Sequence, residues 1–296
     1  MASNLDHAMS DNENSAKSRL SRGRYEIASG LRYQYLLSNL VRRDLKVRYR
    51  NSILGVLWSL LNPILMMLVF SLVFAELIPR EDIRQYAVFF LVGLLPWQFF
   101  TGSMIGGATS ITNSTQLIKK VYFPRLLLPT ASTISHLVNF LIAFIVLIAL
   151  LFISGLGLTI YSLWVIPILI TQIIFILGLV YLFSSLNVFF RDVIMILNVA
   201  LLAMFFLTPI IYPLDWLGEA RTVFGITFSP AVVMRWLNPM ASIIDGYRTV
   251  LWGTMSSGPA PMDPIYLLRT FITSVLIFGF GLTVFNRTHH LFGEKL

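Results

Sequence analysis

An all-α membrane protein is predicted by three observations. Of 296 residues, 56% are hydrophobic and only 12% are charged, and the apolar residues fall into six runs long enough to cross a bilayer as helices. Soluble domains carry about 25% charged residues, so roughly half the usual charge is missing. A soluble fold of this size would lack the polar side chains to cover its surface, whereas lipid tails solvate an apolar exterior. The mean hydropathy of +0.77 agrees.

Crossing the hydrocarbon core takes about 20 apolar residues in a helix. The runs at 53–75, 87–108, 130–153, 162–186, 193–212 and 265–285 meet that length. The first contains Asn62-Pro63, tolerated in a membrane helix when neighbours satisfy the freed carbonyl. Residues 1–30 form a polar tail without the apolar core of a cleavable signal, so the first span also serves as the targeting signal. The expected organisation is tail 1–30, amphipathic helix 31–52 and a six-span domain 53–296.

Orientation follows from basic residues. Ten of the 22 lysines and arginines precede residue 53. With a cytoplasmic N-terminus, Lys119, Lys120, Arg125, Arg191, Arg287 and Lys295 also fall inside, which satisfies the positive-inside rule and puts both termini in the cytoplasm. The net charge of +8 is read as a membrane-surface feature, with no nucleic-acid partner.

Three segments do more than span. In 31–50, Arg32, Asn39, Arg42, Arg43, Lys46 and Arg50 gather on one helical face. Tyr33, Leu36, Leu37, Leu40, Val41 and Val47 gather on the other, interrupted by Asp44 and Arg48. Such a helix belongs in the membrane interface, with Arg42, Arg43, Lys46, Arg48 and Arg50 near lipid headgroups, framing an entrance for a lipid-attached substrate. Residues 109–129 mix lysines with exposed apolar residues, a pattern that points to docking on a soluble partner. Residues 213–264 are too interrupted, notably at Pro230 and Pro239, for a comfortable span. They read either as two re-entrant half-helices or as an additional span pair.

Catalytic and metal motifs are not found. The sequence has no cysteine, no P-loop, no G-x-S-x-G elbow, and no H-E-x-x-H spacing among His7, His136, His289 and His290. No catalytic residue, metal site or cofactor of its own is therefore assigned. Mid-bilayer charges of the kind ion-coupled transporters use are lacking, so energy must come from elsewhere. Aromatics are abundant instead. Trp58 lies one turn from Asn62, so both can face the same side of the first span, and they are placed on a translocation path with Tyr212 near its outer mouth. The alternative is that Trp58 packs on a neighbouring span and Asn62 satisfies backbone freed by Pro63.

Arg48-Tyr49-Arg50-Asn51-Ser52-Ile53-Leu54-Gly55, then Trp58 and Asn62-Pro63, resembles the signature that opens the first span of ABC-2-type permeases exporting polysaccharides and polyol phosphates. Leu117–Pro124, Asn187–Asp192, and Asn238-Pro239 with Arg248 agree in order. The resemblance covers roughly residues 31–296. It implies a homodimer paired with two copies of a separate ATPase subunit, which holds ATP and Mg. It also implies an inner-membrane location and a polyprenyl-diphosphate-linked glycan cargo such as O-antigen, with teichoic acid as runner-up. Drug or lipid export and a membrane-embedded transferase fit less well. The second cytoplasmic loop would be the coupling element, through Leu117, Lys119, Lys120, Phe123, Pro124 and Arg125, joined by Arg191 and Asp192. Short gate helices would precede the last span.

Overall fold

The computed structural model describes residues 33–48, 52, 54–55, 57–73, 83–121, 123–217, 221–223, 226–254 and 257–296. The polar tail and Arg50 lie outside the described residues. An apolar helix forms at each of the six expected positions: α2 (Leu57–Ser71), α3 (Tyr86–Thr109), α5 (Leu127–Ile153), α6 (Val165–Phe189), α7 (Val193–Leu207) and α10 (Pro264–Thr288). By length and composition, α3, α5, α6 and α10 can cross a membrane, while α2 and α7 are shorter apolar helices. The run 193–212 yields only a 15-residue helix. Thr208, extended at φ −83° and ψ 136°, precedes Pro209, and a residue before proline is driven out of the helical region.

Helix α3 is the centre of the bundle. Val88 to Leu95 are almost wholly buried, and α3 packs on α2, α5, α6, α7 and α9 (Pro239–Leu251). Its glycines let neighbours approach: a Cβ at Gly107 would meet Val180 of α6. The tightest pairing is α6 with α10, where Gly281 lies against the Gly178 carbonyl and a Cβ at Gly178 would come within 2.6 Å of Phe278 backbone. In lipid, where apolar transfer gives no drive between helices, such small residues allow close van der Waals packing.

Turns and short elements sort to two ends of the bundle. At one end are α1 (residues 33–48), α4 (Thr115–Lys120), the α6–α7 turn and α11 (Phe292–Lys295). They are joined by two apolar clusters, Leu40–Phe123–Leu128–Ala131 and Ile111–Tyr181–Val188–Phe285–Phe292. At the other end, Gln85 donates to the Ser154 carbonyl (2.8 Å) and the Trp252 indole donates to Arg84 (2.9 Å). Successive long helices therefore alternate in direction.

The 213–264 segment departs from the expectation in two respects. It contains a short antiparallel hairpin, β1 (Arg221–Val223) with β2 (Ile226–Phe228), so the chain is not purely helical. Pro230 and Pro239 do not interrupt helices; each occupies the first turn of one, α8 (Pro230–Leu237) and α9, where a missing N–H costs nothing. Asn238 caps α9 by accepting from Met240 and Ala241 backbone nitrogens. At 8 and 13 residues both helices are too short to cross a bilayer, as the half-helix reading expects of the described residues.

Candidate functional site

A cavity of about 470 Å³ opens between α1, α2, α3 and α5. The helical spacing that puts Trp58 and Asn62 on one face of α2 brings both to its wall, with Pro63 beside them. Trp58 is 47% exposed and stacks on no other aromatic ring among the described residues. The Asn62 side chain makes no hydrogen bond to the backbone around Pro63 among them. Opposite them α3 contributes Gln98, Phe99 and Thr101, and α5 contributes His136, Asn139 and Phe140. Phe99 and Phe140 stack at 5.4 Å, making an apolar floor beneath a ring of amides.

Arg48 closes the α1 side. Its place on the otherwise apolar face, a flaw in the amphipathic pattern, has a reason: Nη2 lies 2.8 Å from His136 Nε2. A second cavity, also about 470 Å³, lies between α1, the C-terminal end of α3 and α5. Arg48 lines both. Arg42, Arg43 and Lys46 are exposed along α1, with Arg43 paired to Asp44 at 2.9 Å. Leu40 is buried, with Leu36, Leu37 and Val41 packed beside it, but Tyr33 and Val47 of the expected apolar face are exposed.

The coupling residues divide. Lys119 and Lys120 end α4 and are exposed, as are Arg191 and Asp192 at the α6–α7 turn. Phe123, expected to be exposed, is 9% exposed and packs with Leu40 of α1, joined by Leu117. The cause is local: α4 is too short to bury an apolar face by itself, and α1 covers it. Pro124 is half-buried. Arg125 donates to the His289 carbonyl and lies 5.9 Å from the Phe292 ring centre, tying the loop to the C-terminal helix.

Tyr212 is not brought to the cavity. It sits at the other end, its hydroxyl donating to Phe206 and Leu207 carbonyls (both 3.2 Å) and its own carbonyl accepting from Arg248. Arg248, 4% exposed, also donates to the carbonyls of Pro209 and Ile210, and its guanidinium lies 3.7 Å from the Phe89 ring centre. These are carbonyls that the broken end of α7 leaves without helical donors. Nearby, Gln172 donates to the Pro96 carbonyl (2.8 Å) and accepts from Tyr247 (3.1 Å), joining α3, α6 and α9. On α8, burial pulls the Arg235 guanidinium down, but Asp245, 2.8 Å away, more than offsets this and leaves its pKa raised.

The sequence reading missed His136 and the buried role of Arg248. A signal for the first existed: Gly102 and Gly106 are spaced G-x-x-x-G, which marks a helix face that something approaches closely. Here it is an imidazole.

The ABC-2 type transporter family matches residues 35–252. The chain belongs to that family. Among curated relatives, the O-antigen export system permease protein RfbA of Klebsiella pneumoniae is 34% identical over 262 residues, 88% of this chain and 95% of the relative. The protein of the same name from Myxococcus xanthus is 34% identical over 270 residues, 89% and 97% respectively. As an ABC-2 family member with several apolar helices, the chain is an integral membrane protein. The matched region runs from α1 through α9 and so contains both cavities and Arg248.

Proposed function

We propose that this chain is the permease subunit of an exporter moving a polyprenyl-diphosphate-linked, O-antigen-like glycan from cytoplasm to periplasm across the inner membrane. The cavity wall carries this reading: aromatic faces of Trp58, Phe99 and Phe140 beside the amides of Asn62, Gln98 and Asn139. Sugars present C–H faces that stack on rings and hydroxyls that pair with amides. Such contacts are weak and repeated, so a sliding polymer is held without being trapped.

Six crossings by α2, α3, α5, α6, α7 and α10 leave both termini cytoplasmic. Helix α7 rises only about 22 Å, and the irregular residues after it complete that crossing, with backbone carbonyls satisfied by Arg248. Helix α1 lies along the cytoplasmic interface, its Arg42, Arg43 and Lys46 toward anionic headgroups. Lys119, Lys120, Arg191 and Asp192 face a separate ATP-hydrolysing subunit, and two copies of each subunit make the exporter. Helices α8 and α9 serve as gate helices at the periplasmic end.

The test is genetic and biochemical together. Removing the chain from its host should abolish surface glycan and accumulate the lipid-linked form inside, and the tagged chain should co-purify with an ATP-binding cassette subunit. Unchanged surface glycan in the deletion strain would sink the proposal.

A further inference from the structure

The Arg48–His136 contact joins the two cavities, and its chemistry is unusual. A guanidinium has donors only, so His136 accepts through Nε2 and its ring is neutral. An arginine held in one geometry usually meets a carboxylate; Arg48 is exposed, and its imidazole partner orients the charge without cancelling it. The neighbouring carboxylate, Asp44, pairs with Arg43 at 2.9 Å. The imidazole is itself fixed. A Cβ at Gly102 would collide with its ring, and one at Gly106 would lie 2.8 Å from Nε2. Two glycines of α3 thus form a slot for it. The cation at the throat is aimed, has no carboxylate partner among the described residues, and is bordered by open volume on both sides.

The geometry points to His136 as a positioning residue that holds Arg48 free to receive the phosphate group of the lipid-linked glycan as its sugars enter the cavity of Trp58 and Asn62. The inference rests on the proposed function and deepens it by naming the anion-receiving point. A neutral acceptor is the required chemistry, because a carboxylate at position 136 would compete with the incoming phosphate for the same guanidinium. An anionic phospholipid headgroup offers the same phosphate chemistry, so the two sources must be separated.

The experiment uses the complete permease–ATPase complex in zwitterionic vesicles. The vesicles are doped either with a polyprenyl-diphosphate-linked oligosaccharide or with phosphatidylglycerol at equal charge, and ATPase stimulation is read as half-saturation and maximal rate. Three variants divide the explanations. His136→Phe fills the slot without an acceptor; His136→Gln offers an amide oxygen to Arg48; His136→Glu grips Arg48 more firmly but neutralises it. His136→Phe and His136→Glu should each raise half-saturation for the glycan lipid about tenfold, as expected for loss of one charge-assisted contact, with maximal rate retained. His136→Gln should recover most of the affinity. A purely structural role predicts instead that Glu behaves like Gln, and that result overturns the inference, as does unchanged half-saturation in all three. Equal stimulation by phosphatidylglycerol also overturns it. If the unaltered complex ignores the glycan lipid altogether, the proposed function fails too, whereas a normal response of unaltered protein with indifferent variants removes this inference alone.

Discussion

Arg48 and Arg248 both enter the bundle, from opposite ends, and meet opposite treatment. Arg248 donates to three backbone carbonyls and stacks on Phe89, with little exposure left. Arg48 has a neutral imidazole and open cavity on either side. The first arrangement repairs a helix that Pro209 ended early, with both terminal nitrogens of Arg248 committed to backbone carbonyls. The second holds an exposed cation against a neutral partner beside open cavity. An arginine's role in a membrane protein is thus read from what accepts its donors, not from its presence in a motif.

These two roles require the two ends to lie on opposite sides of the membrane, and the largest expected effect tests that in an all-or-none readout. Reporter fusions after Glu81 should report periplasmic, and fusions after Lys119 or Lys295 cytoplasmic. A periplasmic signal from Lys295 would mean an odd number of crossings.

Next in size is Arg248→Met. It strips the charged donor from the carbonyls of Pro209, Ile210 and Tyr212, and charge-assisted hydrogen bonds contribute about 1.5–3 kcal/mol each. A loss of about 3 kcal/mol or more should appear as a sharp fall in folded protein and in the detergent melting midpoint. Gly93→Leu should do the same from the facing helix, since even a Cβ there would sit 2.7 Å from Arg248 Nη2. Full retention of folded protein in both would make Arg248 a ligand site like Arg48.

Trp58→Ala should act on transport rather than folding. With half of Trp58 exposed, its truncation should leave folded yield near that of the unaltered chain and slow glycan export several-fold, as loss of one aromatic stacking platform would. Reduced yield with normal export per molecule would assign Trp58 to packing, against another subunit.

Smallest is the effect at the ATPase-facing surface. Surface ionic contacts are individually worth about 0.2–1 kcal/mol, so Lys119→Glu with Lys120→Glu should weaken ATPase co-purification about two- to tenfold. Arg125 belongs in a separate variant, because its contacts with His289 and Phe292 make it part of the fold of that end. Unaltered co-purification in the double variant would remove α4 from the docking surface.

Much of this was legible in residue order. Trp58 and Asn62 shared a face because four residues make about one helical turn, and they still share it in the cavity. Phe123 was misread because mixed apolar and basic character looks the same whether the apolar part faces a partner protein or another helix of the same chain. Pro230 and Pro239 were misread because a proline ends one helix and begins the next equally well. The capping geometry at Asn238 decides between those outcomes, and only a folded backbone displays it.

The sequence by itself determined the class and the positions of the six long apolar helices among the described residues, because the bilayer demands long runs without charge and tolerates little else. Through its family match it also determined the kind of transporter to which the chain belongs. Tertiary structure alone decided which helix is central, since in lipid the hydrophobic effect no longer sorts inside from outside. The glycine-rich α3 is buried, while the more apolar α7 exposes Met195, Ile196, Val199 and Leu202. It also decided that His136 meets Arg48, two residues 88 positions apart. No local pattern encodes that pairing, because it arises from two glycines on a third helix making room for the ring.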